Sequence, residues 1–166
     1  MSTAKDSTPK STRRGRDRKS ALDRYVQRTS HADPMQMVEL ERQGTPVTIV
    51  IDLSRRMGIP AIRMFKMLGV PKATATKKAR DGENMTGSAG YAAMGMAKLL
   101  ATAQEIVAKS TADEARDFNA AEWLGRWIER PQPALGGRRP AELLDTATGV
   151  QVVTRLLGSI VSGSYQ

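Results

Sequence analysis

The 166-residue chain contains no cysteine. That excludes disulfide scaffolds, zinc–cysteine fingers, iron–sulfur sites and thiol nucleophiles. It has one histidine, so a metal centre or a Ser-His-Asp triad has a single candidate base. Aromatic residues are scarce (two Trp, three Tyr, two Phe), which argues against a sheet that stacks successive bases on rings. No apolar run reaches the length of a membrane span, and the longest near-continuous stretch is VTIVIDL at 47–53. The Ser/Thr/Lys/Arg-rich N-terminus has no apolar centre and is not a secretory signal. A cytoplasmic protein with no membrane contact and no cofactor is expected.

What the chain has in excess is positive charge: 26 Lys+Arg against 17 Asp+Glu, a net +9. The excess is localised. Residues 1–30 hold nine basic and three acidic side chains, and residues 31–54 hold one and four. Residues 55–80 hold eight basic side chains (Arg55, Arg56, Arg63, Lys66, Lys72, Lys77, Lys78, Arg80) and no acid. Residues 81–166 hold eight basic and ten acidic. The positive field belongs to a tail and one short segment, where a polyanion should be met. Most of the tail lacks the apolar periodicity needed to offset the entropy of ordering it, so residues 1–32 read as a disordered basic arm, with room for a short helix at 21–28.

From residue 47 onward the pattern is helical. Val47, Val50, Ile51, Ser54 and Met57 repeat at three and four, which favours a helix ended by Gly58 over a short strand at TIVI. Two segments then begin alike. Gly58-Ile59-Pro60 precedes a helix at 61–68 with Ile62, Phe65 and Leu68 on one face, and Gly69-Val70-Pro71 precedes a helix at 72–80. Glycine ends each preceding helix and proline starts the next, a helix-turn-helix signature. In the second helix Ala75 and Ala79 offer a small-residue back. Lys72, Thr76, Lys77 and Arg80 fall on the opposite arc, with Thr74 and Lys78 flanking it. Cations and hydroxyls on one arc suit phosphates and base edges, so these six residues are the candidate DNA-binding set.

Residues 86–109 predict a longer, Ala/Met-rich helix held by close packing. Asn119 and Glu122 have capping-box spacing and open a helix carrying Ala121, Leu124, Trp127 and Ile128 inward. Residues 131–139 form a Pro/Gly loop, 141–144 a short helix, and a last helix from Thr146 or Thr148 carries Val150, Val153, Leu156, Leu157 and Ile160 on one side, closed by Gly158 and Gly163. Trp123 and Trp127 are expected in the core. His31 beside Asp33 reads as a surface histidine, and Gly136-Gly137 is no phosphate loop because no Lys-Ser/Thr follows.

Trp127-Ile128, Pro131-Gln132-Pro133-Ala134-Leu135-Gly136-Gly137-Arg138-Arg139-Pro140, Glu142-Leu143-Leu144-Asp145-Thr146 and Gly149 together carry a family resemblance. Residues 120–166 resemble the C-terminal toxin-binding domain of the Xre/MbcA/ParS antitoxin family, with Ile128 where leucine is commoner. The helix-turn-helix at 47–80 resembles the family's Xre-like domain, and the Arg-rich tail is not part of the family pattern. The resemblance implies a bacterial type II toxin–antitoxin pair and a non-enzymatic protein. Its partners would be a RES-domain toxin that consumes NAD, operator DNA and a second copy in a homodimer. It also implies that Gly163, Ser164, Tyr165 and Gln166 approach the toxin's active site, and that the protein joins the nucleoid when bound to DNA. Arg138 and Arg139 are loop cations available to an acidic toxin surface. The expected fold is all-α: a basic arm (1–32), an Xre-like DNA-binding and dimerisation domain (33–112) and a toxin-binding domain (113–166). The rival reading is a stand-alone helix-turn-helix repressor whose C-terminal domain only dimerises.

Overall fold

A helix whose first half is almost all Ala, Gly and Met has little polar surface there to give to water, so that half must lie inside. Residues Gly87–Lys109 form that helix, here called α6, and every residue from Ala92 to Ala97 is buried. The computed structural model describes residues 20–109 and 117–161, and their architecture is all-α around α6. Helices α1 (Ala21–His31), α2 (Pro34–Gln43), α7 (Ala120–Ile128) and α8 (Ala147–Val161) all pack on it. Its small residues let neighbours approach closely: a Cβ on Gly95 would collide with the Val150 side chain of α8.

Helix α1 revises the expected arm. Ser20 and Asp23 form a reciprocal capping box, and Leu22, Tyr25, Val26 and Thr29 are buried. Residues 20–32 are therefore part of the folded body, and the rest of the arm lies outside the described residues. Only three apolar side chains, spaced three and one apart among arginines, mark this helix in the sequence. Inside, Thr45 Oγ1 donates to the Gly90 carbonyl at 3.0 Å. Its single proton is thereby used, so the Tyr25 hydroxyl, 2.7 Å away, donates to Thr45. Burial pushes the Tyr25 phenol above its ordinary pKa. Helix α2, to which the sequence pattern assigned nothing, opens on a second capping box (Asp33 with Gln36). A two-residue antiparallel pairing follows between β1 (Thr45–Pro46) and β2 (Asn84–Met85), with Thr45 opposite Met85.

The repeated Gly-x-Pro corresponds to one helix ending used twice. Helix α3 (Val47–Arg56) ends with Gly58 N–H bonded to Arg55 O and Ile59 N–H to Ser54 O at 2.9 Å. Helix α4 (Ala61–Met67) ends with Gly69 N–H bonded to Lys66 O and Val70 N–H to Phe65 O at 2.9 Å. Both are Schellman turns with a buried apolar residue after the glycine. Gly69 takes φ +70° and faces Asp145, so a side chain there would be strained and crowded at once. Pro60 and Pro71 then cap α4 and α5 (Lys72–Asp81).

Three periodicity readings change. Met64, Phe65, Met67 and Leu68 are buried on α4, but Ile62 is 63% exposed. On α5 only Ala75 is buried, and Ala79 lines an open groove instead of packing on α4. Spacing marks a stripe, but not how far along it the neighbour reaches. Gly158 lies inside α8, and Ile160 is more than a third exposed. The short helix expected at 141–144 is a 3-10 turn at Pro140–Glu142. One apolar cluster joins Leu22, Leu53, Met64, Leu100, Leu124 and Leu157.

Candidate functional site

Helix α5 presents its surface rather than its interior. Lys72, Thr74, Thr76, Lys77 and Arg80 are exposed, and Lys78 is half-buried. Their chemistry is less uniform than their spacing. Lys78 Nζ donates to Glu83 Oε2 and to the Asn84 carbonyl, each at 3.0 Å, which fastens the end of α5 to the β2 strand. Arg80 forks onto Asp81 at 2.8 and 3.3 Å. Thr76 returns its hydroxyl to the Lys72 carbonyl at 2.9 Å. Lys72 and Lys77 make no ion pair among the described residues.

The same division runs through the whole 55–80 segment. Arg55 lies 3.5 Å from Asp52. Arg56 bonds Asp23 and, at 3.2 Å, Ser20 Oγ, and it holds the Asp23 carboxyl below its usual range. Arg63 donates Nε to Glu129 Oε1 at 2.7 Å and Nη2 to Oε2 at 2.8 Å. This bidentate bond holds the Glu129 carboxyl below its ordinary 4.5 against the opposing effect of burial, and raises Arg63 further. Sequence reasoning missed these acid partners, because Asp23 and Glu129 lie outside the segment whose charge was counted.

Arg63–Glu129 also joins α4 to α7. Beside it Gly125 of α7 lies so close to Met57 at the end of α3 that a Cβ would fall within the Met57 carbonyl. Asn119 caps α7, its side chain accepting from Glu122 N–H at 3.2 Å. Trp123 and Trp127 stack with centroids 6.1 Å apart, and the exposed Phe118 meets Trp123 at 6.2 Å. Trp127 is buried and Trp123 half-buried. The Pro/Gly loop closes through Gln132 N–H to Arg138 O and Gly137 N–H to Gln132 O, both 3.0 Å. It leaves Arg138 and Arg139 exposed. Thr146 Oγ1 accepts from Gly149 N–H at 3.0 Å as α8 begins. Gly163, Ser164, Tyr165 and Gln166 lie outside the described residues. His31 is exposed, with Nδ1 3.0 Å from the Gln27 carbonyl. No cluster of His, Asp or Glu among the described residues is placed to hold a metal, and no described helix is long and apolar enough to cross a membrane.

Residues 116–163 match the family model for the antitoxin Xre/MbcA/ParS C-terminal toxin-binding domain. Over a longer stretch, the chain is 32% identical across 134 residues to the Prs ADP-ribosylating antitoxin of Sphingobium sp. (strain YBL2), covering 81% of this chain and 83% of that protein. The chain belongs to the Xre/MbcA/ParS antitoxin family. It is an antitoxin of a toxin–antitoxin system. The antitoxin's toxin-binding domain is thus the stretch containing α7, the Pro/Gly loop and α8, and its partner is a toxin.

Proposed function

We propose that the antitoxin neutralises a RES-domain, NAD-consuming toxin by binding at its active site, and represses its own operon by binding promoter DNA as a homodimer. It acts as a stoichiometric ligand and catalyses nothing. The observation that carries the toxin reading is the match of residues 116–163 to a toxin-binding domain. The Sphingobium relative's name speaks of ADP-ribosylation, a reaction that consumes NAD, and this supports a toxin of that chemistry. Tyr165 near the chain end supplies an amphipathic ring of the kind enriched at interface hot spots, and Gly163–Gln166 would occupy the toxin's substrate cleft. Arg138 and Arg139 project from the ordered loop and would meet an acidic toxin surface.

The DNA reading is supported by α5, a cationic helix exposed along nearly its whole length behind a Schellman turn. Lys72, Thr74, Thr76, Lys77, Lys78 and Arg80 would face the duplex, with Lys78 and Arg80 giving up their carboxylates to do so. Growth assays test the toxin half. Expression of the adjacent toxin gene alone should arrest growth, and co-expression with the full antitoxin should restore it. Deleting Ser164–Gln166 should weaken that rescue and leave promoter binding intact. Full rescue by the truncated chain would rule out occupation of the active site by the chain end.

A further inference from the structure

The eight cations of residues 55–80 divide once their partners are known. Arg55, Arg56, Arg63, Lys78 and Arg80 each hold a carboxylate of this chain. Lys66, Lys72 and Lys77 hold none among the described residues, and all three are exposed. Two of these free lysines border one feature. Lys66 on α4 and Lys72 on α5, together with Thr76, rim an open groove between the two helices whose lining includes Ile62, Phe65 and Ala79. Ile62 stands 63% exposed there. No carboxylate among the described residues lines the groove.

A surface with unpaired ammonium groups at its rim and an exposed aliphatic side chain between them fits the wall of a duplex groove. Phosphates meet the lysines, and the apolar side chain lies against thymine methyls or sugar. A protein partner would also accept an apolar floor. The charge of the rim and its continuity with Lys72 and Thr76 of the recognition helix favour DNA. We propose that the duplex interface extends from α5 onto α4, with Lys66 holding a backbone phosphate and Ile62 packed against the DNA between Lys66 and Lys72. This rests on the DNA-binding reading above and adds to it two residues on a different helix.

The test uses the full-length antitoxin and a labelled duplex from immediately upstream of its own reading frame, titrated over a salt series. Lys66→Ala should lower the slope of log K against log salt by about one per protomer, since one phosphate contact is lost. Ile62→Glu, at a mostly exposed position, should weaken binding about tenfold or more by setting a carboxylate against phosphates, while toxin neutralisation is retained. Arg126→Ala on α7 is the control and should leave the slope unchanged. If either variant at 62 or 66 binds like the wild type, the extension onto α4 is overturned even though the wild type binds. If the wild type itself ignores the duplex, the DNA reading fails, and this inference with it.

Discussion

Of the ten residues of α5 only Ala75 is buried, whereas α6, reached after the two residues of β2, buries eleven of its 23. The two helices are held in different ways. Helix α5 is fixed at its ends: a Schellman turn and Pro71 set its start, and Lys78 on Glu83 and Asn84 fastens its last turn. Its sides are largely exposed. Helix α6 is fixed along its sides, where α1, α7 and α8 close on alanines and glycines, and its intrinsic propensity hardly matters. A helix kept for its surface and a helix kept for its interior should therefore respond to mutation in opposite currencies, binding for one and stability for the other.

The largest effect belongs to α6. Leu100 is fully buried, and Leu100→Ala should cost about 2–5 kcal/mol in urea denaturation, with the loss of transfer energy and the cavity both contributing. A loss of well under 1 kcal/mol would show that α6 is not the load carried by the core. Next comes the bond between the two halves. Arg63→Ala or Glu129→Gln should cost about 1 kcal/mol, because the pair is bidentate but about a third exposed. Glu129 ionises more easily folded than unfolded, so its contribution is complete above the unfolded carboxylate's pKa and is lost as pH falls through the lower folded value. The stability gap between wild type and Glu129→Gln should be constant near neutrality and close on acidification below pH 4.5. A gap that persists in acid would assign the cost to packing instead. Tyr25→Phe should also cost about 1 kcal/mol, as the buried Thr45 hydroxyl loses its donor. The smallest change in stability falls on α5: Lys72→Ala with Lys77→Ala should stay within about 0.5 kcal/mol of wild type. The same double variant should flatten the salt dependence of promoter binding by about two contacts per protomer. An unchanged slope would remove both lysines from the interface.

Much of this was legible without a structure. The boundaries of α3, α4 and α5, the cap at Asn119 and the inward set Ala121, Leu124, Trp127 and Ile128 follow from periods, caps and breakers. So does the family, whose Pro/Gly loop and Leu-Leu-Asp-Thr stand in one short stretch. Helix α1 was legible only as room for a short helix at 21–28, because Leu22, Tyr25 and Val26 alone mark its buried side. Helix α2 was hidden because Leu40 is its one fully buried residue. The buried ends of stripes were misjudged at Ile62 and Ala79, where the stripe continues but the neighbouring helix does not.

The division has a physical origin. Schellman turns, capping boxes and helical periods join residues within a few positions of one another, so the order of amino acids suffices to specify them. Charge is different. Arg56 finds its acid 33 positions away and Arg63 finds its own 66 away, and both are thereby withdrawn from the field of the segment that contains them. The chain alone counts eight cations in residues 55–80; the fold pairs five of them with carboxylates and leaves Lys66, Lys72 and Lys77 without one among the described residues, because a Coulomb partner is set by distance in space.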